Sequence, residues 1–179
     1  VVAFWDGEKA ESIRIEPDVN LEVLVAIPAF QLSTEKARGV MPKQVSMKDA
    51  VFNLSHSSLL VAALSTGNLE MIRHAMKDTL HQPYRAALIP GMTTLLEQAE
   101  NHGALGVALS GAGPTMLALV DARSSQKDEL EAFLKETLAA EDIEAQLLWL
   151  KPSAAGVTTT HLQEGAEDLF SFIEREVLA

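Results

Sequence analysis

The stretch that decides the fold is Ala104-Leu105-Gly106-Val107-Ala108-Leu109-Ser110-Gly111-Ala112-Gly113-Pro114-Thr115-Met116-Leu117-Ala118-Leu119-Val120. Its two short apolar runs, Ala104–Leu109 and Thr115–Val120, read as strands, and the Gly/Pro-rich segment between them reads as a turn. Upstream, Thr93–His102 has helical character and ends at Gly103. Downstream, Ser125–Ala139 is amphipathic and Ala145–Leu150 is a further apolar run. The order over 93–150 is helix, strand, strand, helix, strand. Leu21–Ile27 is another continuous apolar run, ended by Pro28, and reads as a buried strand. Adding it gives an α+β fold, a ferredoxin-like split βαβ sheet backed by helices.

The N-terminal side supplies smaller elements. Val1–Trp5 is β-prone and is followed by Asp6-Gly7, a hairpin signal with Ser12–Ile15 as the return strand. A short helix is expected over Thr34–Gly39. Ser46 is a suitable N-cap for a helix from Met47 to about Leu64, with Val51, Leu54, Ser55, Ser58, Val61 and Ala62 on one face. Gly67 ends that helix and Asn68 opens another through about Met76. Glu167–Val177 has the pattern of a terminal helix.

Bulk composition narrows the function classes. The 179 residues carry a net charge of −11 and a pI of about 4.8, so nucleic-acid phosphates and anionic lipid surfaces are repelled. Hydrophobic residues make up 47%, enough for a packed core. No cysteine is present, which rules out disulfides, thiolate metal sites and thiol nucleophiles and accords with a cytoplasmic location. No apolar run approaches the ~20 residues of a membrane span. Val1–Asp6 resembles neither a signal segment nor an initiator region and reads as a strand entered from upstream, so the chain is expected to begin inside a longer polypeptide.

Three constellations carry possible chemistry. Ser110-Gly111-Ala112-Gly113-Pro114 is either a tight turn or a loop whose backbone amides meet an anion. It is not a Walker A loop, because no Gly-Lys-Ser/Thr follows, and it is not a dinucleotide fingerprint, because a strand follows it. Ser33-Thr34-Glu35-Lys36-Ala37-Arg38 follows a buried strand. Thr34 and Arg38 share a helical face there, and a hydroxyl beside a guanidinium suits a carboxylate. The plain alternative is an N-cap with solvated charges. Asp78-Thr79-Leu80-His81-Gln82-Pro83-Tyr84-Arg85 gathers an acid, an imidazole, a phenol and a guanidinium. His81 there is a proton shuttle, an anion contact or a helix-end residue. No zinc, calcium or nucleophile-elbow pattern occurs, and no metal ligand is expected in this chain.

Taken in order, Leu32–Arg38, His81–Arg85 with Ile89-Pro90-Gly91, and Gly106–Thr115 resemble homoserine kinases of the GHMP kinase superfamily. The resemblance runs from Val1 to about Val157. It implies a GHMP C-terminal domain over 1–157, with the end of the preceding domain's strands at 1–16 and a tail at 158–179. It also implies phosphoryl transfer from ATP, with Mg²⁺, to the hydroxyl of L-homoserine in threonine biosynthesis. Thr34, Arg38, Arg85 and, more weakly, His81 would meet the amino acid. Ser110, Gly111, Ala112 and Gly113 would pack against the phosphate loop. That loop, of the Pro-x-x-x-Gly-Leu-Gly-Ser-Ser-Ala type, does not occur in the chain, so ATP and Mg²⁺ are expected mainly on another half. The isolated chain is then expected to be inactive, with apolar surface exposed and a homodimer as one outcome. The rival expectations are a mevalonate- or isoprenoid-type GHMP kinase, a non-catalytic ferredoxin-like binding module, and a structural role in which both arginines are ordinary surface residues.

Overall fold

The computed structural model describes residues 1–157 and 159; the expected helix over Glu167–Val177 and the rest of the tail lie outside the described residues. Strands β1 (Val2–Trp5) and β2 (Ala10–Ile13) form a separate antiparallel hairpin, with Val2 opposite Ile13 and Trp5 opposite Ala10. The return strand begins at Ala10, two residues before the expected Ser12, because the turn closes over Asp6–Lys9. Asp6 Oδ1 accepts the Glu8 and Lys9 amides at 2.8 Å each. These bonds, the Lys9 amide first, hold the Asp6 carboxyl below its usual range. Phe4 and Trp5 of this hairpin are 60% and 65% exposed.

β3 (Leu21–Pro28) leads to helices α1 (Thr34–Gly39), α2 (Met47–Thr66), α3 (Ile72–Ala75), α4 (Gln82–Arg85) and α5 (Met92–Gln98). β4 (Gly106–Leu109), β5 (Met116–Asp121), α6 (Lys127–Ala139) and β6 (Ala145–Leu150) complete the order. The four later strands form one antiparallel sheet in the order β4-β5-β3-β6. In chain order the first and third of these strands, β3 and β5, are central and the second and fourth, β4 and β6, are edges, which is the ferredoxin-like arrangement.

Alternation along the strands gives the sheet two cores. Leu24, Ala26, Met116, Ala118 and Val120 pack with Met92 and Leu95 of α5 and with Leu130, Leu134 and Leu138 of α6. The four-residue spacing of those last three leucines places them on one side of α6. Leu21 and Leu119 belong to a second cluster with Ala63, Leu69 and Ile72. Glu22 is buried in β3. Lys127 Nζ lies 2.5 Å from its carboxylate and 4.4 Å from the Trp149 ring centroid, so the charge is paired.

The α2 face expected from the sequence points to solvent. Val51, Leu54 and Val61 are exposed, and Ser55 and Ser58 bond back to the Phe52 and Leu54 carbonyls. The inward side instead carries buried Ala63 with Leu60 and Leu64 packed beside it. Ser46 caps α2 as expected, its Oγ accepting the Asp49 amide at 3.0 Å, and Gly67 closes it at φ 67°.

Candidate substrate and phosphate site

Sheet register sets the site. Met116, the first residue of β5, lies opposite both Leu109, the last residue of β4, and Ala26 near the end of β3. The glycine loop and the exit from β3 toward α1 therefore share one end of the sheet.

The loop is a turn and leaves donors free. The Ser110 amide bonds to the Thr115 carbonyl at 2.8 Å, and the Gly113 amide to the Ser110 carbonyl at 3.0 Å. The amides of Gly111 and Ala112 meet no acceptor among the described residues. Gly111 (φ 60°) and Gly113 (φ 83°) occupy the left-handed region. A Cβ on Gly113 would lie 2.8 Å from Leu109 Cδ1 and 3.0 Å from Ile89 Cδ1, whereas one on Gly111 would meet nothing within 4 Å. Gly113 is thus demanded by packing. Gly111 leaves a clear approach to the backbone.

Asp78 organises the neighbouring segment. Its Oδ1 accepts Asn53 Nδ2 at 2.7 Å and the Leu80 amide at 2.8 Å. Its Oδ2 accepts the His81 and Gln82 amides at 2.9 and 2.5 Å. Burial pushes this carboxyl up, but the Gln82 amide, the Asn53 side chain and the Leu80 and His81 amides outweigh it and hold Asp78 below the usual carboxylate range. Asn53 Oδ1 in turn accepts the Thr79 amide and hydroxyl at 2.8 and 2.9 Å. These bonds cap α4, whose first turn contains Pro83.

From α4 two side chains reach the loop. Gln82 Oε1 accepts the Leu109 amide at 2.8 Å, and Arg85 Nη1 donates to the Gly111 carbonyl at 2.9 Å. Arg85 Nε is buried and meets no acceptor among the described residues. Together with Asn53, Ser57 and His81 these residues line an open cavity of about 430 Å³. A half-buried guanidinium with an unused donor, on a cavity wall it shares with Gly111, suits an anionic group.

His81 occupies the N-cap position of α4 without making a side-chain cap bond. It is exposed, and its Nδ1 is 3.6 Å from Asp78 Oδ1, beyond hydrogen-bond length. Thr34 and Arg38 stand exposed on α1, which Ser33 caps and buried Ala37 anchors; neither lines the cavity. The structure therefore brings Arg85, His81 and Gly111 together and leaves Thr34 and Arg38 at the same sheet end, outside that cavity. The sequence reading missed the roles of Asn53, Asp78 and Gln82. Asp78 had a signal, since an Asp just before a short Pro-containing helix is a capping pattern. Asn53 had none, because its partner lies 25 residues away. A larger, mostly apolar groove, about 520 Å³, runs between Val2, Ile15, Leu21 and Leu60; the charged side chains on its lining, Arg14 and Glu16, pair with each other at 2.6 Å.

Residues 60–140, which include α4, the loop and α6, match the family model described as GHMP kinases C terminal. Across 161 residues the chain is 43% identical to a homoserine kinase from Deinococcus radiodurans, covering 90% of this chain and 52% of that one. Residues 60–140 carry a GHMP kinase C-terminal domain. This GHMP kinase domain is also 51% identical over 125 residues to a homoserine kinase from Microchaete diplosiphon, covering 70% of this chain and 41% of that protein. Its fold superimposes on the crystal structure of homoserine kinase from Cytophaga hutchinsonii with a TM-score of 0.74 at 27% identity, over 79% of this chain and 45% of that one. The domain spans about half the length of the curated relatives it matches. The expected fold class and family are both borne out.

Proposed function

We propose that this chain is the C-terminal, substrate-binding half of a homoserine kinase, which transfers the γ-phosphoryl group of ATP to the hydroxyl of L-homoserine. The observation that carries the reading is Arg85: a guanidinium fixed to the Gly111 carbonyl, with a buried Nε that meets no acceptor among the described residues. The names of the relatives favour homoserine over other GHMP substrates. In this proposal Arg85 meets the substrate carboxylate or the moving phosphoryl group, and the Gly111 and Ala112 amides face the phosphate side. Thr34 and Arg38 approach from α1 and take the amino-acid end, and His81 borders the same pocket. Phosphoryl transfer rests on positioning and on neutralising charge, so two arginines in a chain of net charge −11 supply local positive potential where it is required.

The free amides and the guanidinium fit a phosphate. Among the described residues, no group of three His, Cys, Asp or Glu is placed to hold a metal ion. Magnesium and the main grip on ATP are assigned to the other half of the kinase, because the phosphate loop of the family does not occur in this sequence, and the chain alone is expected to be inactive. No helix among the described residues is long and apolar enough to cross a membrane; a cytoplasmic setting is part of the proposal. The exposed Phe4 and Trp5 are assigned to contact with the other half.

The test is a comparison of L-homoserine and R-mevalonate as phosphoryl acceptors for the complete kinase containing this half. Preference for homoserine is expected. Preference for mevalonate, or no transfer to either, overturns the reading.

A further inference from the structure

Among the described residues β4 is an edge strand, paired only with β5. In an antiparallel ladder successive amides point to opposite sides, and the Ser110 amide already bonds toward β5 through Thr115. The Leu109 amide therefore points off the edge of the sheet, where no strand receives it. Gln82 Oε1 takes that place at 2.8 Å, so a helix side chain stands in for the missing neighbour. One helical turn further along, Arg85 Nη1 holds the Gly111 carbonyl at 2.9 Å. Two bonds from one turn of α4 thus land on the strand end and on the loop that follows it. α4 is itself held at its start by three backbone amides bonded to Asp78, and Asn53 ties that carboxylate to α2.

We propose that Gln82, held by Asp78, is a positioning residue that clamps the glycine loop to α4, so that the loop amides and the Arg85 guanidinium are placed as one rigid unit. This rests on the functional reading only for its catalytic consequence; the clamp itself is a property of the domain. Apart from the Gln82 bond, no strand among the described residues supports the outer side of β4, and the Gly111 amide stands one peptide away from the carbonyl that Arg85 grips. A shift of the loop without Gln82 would move the anion-facing amides and the guanidinium's anchor together. The clamp therefore links the phosphate side of the site to the side where Arg85 meets its ligand.

The experiment has two arms. In the 179-residue chain, amide hydrogen exchange is compared for wild type, Gln82→Met, which keeps the side-chain length and lacks the acceptor, and Gln82→Glu, which keeps an acceptor. In Gln82→Met, protection at Leu109 is expected to fall roughly tenfold, while β3 and the rest of β5 stay protected and Gln82→Glu retains protection at Leu109. Unchanged Leu109 protection in Gln82→Met, or an equal loss across β3 and β5, overturns the clamp. In the complete kinase, Gln82→Met and Arg85→Ala are combined in a double-mutant cycle on kcat/KM. Their joint effect is expected to fall short of the product of the single effects, because both variants disable one unit. A joint effect equal to the product overturns the catalytic consequence. Absence of homoserine phosphorylation would remove the functional reading and leave the exchange arm to decide the clamp.

Discussion

Gly113→Ala should destabilise the domain more than Gly111→Ala, although the two glycines are two residues apart in one loop. Both have positive φ, 83° and 60°, and placing a Cβ there costs about 1 kcal/mol. The difference lies in what the methyl group meets. At Gly113 it would stand 2.8 Å from Leu109 Cδ1 and 3.0 Å from Ile89 Cδ1. Ile89 is fully buried within the larger core, so its end cannot withdraw without displacing neighbours. Leu109 is half-buried and the end of its side chain can turn aside, so the overpacking falls at the lower end of the usual range, about 1 kcal/mol, and brings Gly113→Ala to about 2 kcal/mol in total. At Gly111 nothing lies within 4 Å, so only the backbone cost of about 1 kcal/mol remains. Urea unfolding of the chain, followed by circular dichroism, gives both values from the midpoint and slope. Equal losses for the two variants, or a Gly113→Ala loss below about 1 kcal/mol, would refute the packing argument.

Two further predictions concern the site's support and the core. The folded-state pKa of Asp78 is depressed, so its contribution is present above the unfolded value of about 3.9 and is lost as pH falls through the lower folded value. Asp78→Asn should cost about 1–3 kcal/mol at pH 7, since the new amide group faces backbone donors it cannot accept, and the gap to wild type should close on acidification below about pH 4. A gap that stays constant between pH 7 and pH 3 would count against the assigned bonding. Leu134 is fully buried between α6 and the sheet, and Leu134→Ala should lower stability by about 2–5 kcal/mol, measured by the same urea titration. A loss under about 1 kcal/mol would place the core elsewhere.

Much of the fold was legible because the buried strands are apolar runs with clear stops. Leu21–Ile27 and Thr115–Val120 needed only periodicity and a following Pro or polar turn, and the structure moves their ends by a residue. The outward face of α2 was misleading for a physical reason. Val51, Leu54 and Val61 recur at helical spacing, yet the helix is held on its other side by Ala63 and by the Asn53 bonds to the 78–79 turn. Periodicity reports an apolar stripe and does not say whether a partner covers it.

The site was legible in part. The glycine loop and Arg85 stood out by residue type and order, and their contact through the Gly111 carbonyl follows from a 26-residue separation that spacing cannot reveal. Gln82 was the hardest to read, because a glutamine on a short helix gives no local sign that it will complete a strand edge 27 residues away. His81 was conspicuous in sequence and makes no side-chain hydrogen bond among the described residues, which leaves its ring free to border the cavity.

The central claim is tested most directly by repeating the acceptor comparison on the complete kinase with Arg85→Ala beside wild type. A charge-assisted contact is worth about 1.5–3 kcal/mol, so kcat/KM for L-homoserine should fall roughly 10- to 100-fold in the variant, with wild type preferring homoserine to R-mevalonate. An unchanged kcat/KM for homoserine in Arg85→Ala, or a wild-type preference for mevalonate, would contradict the account.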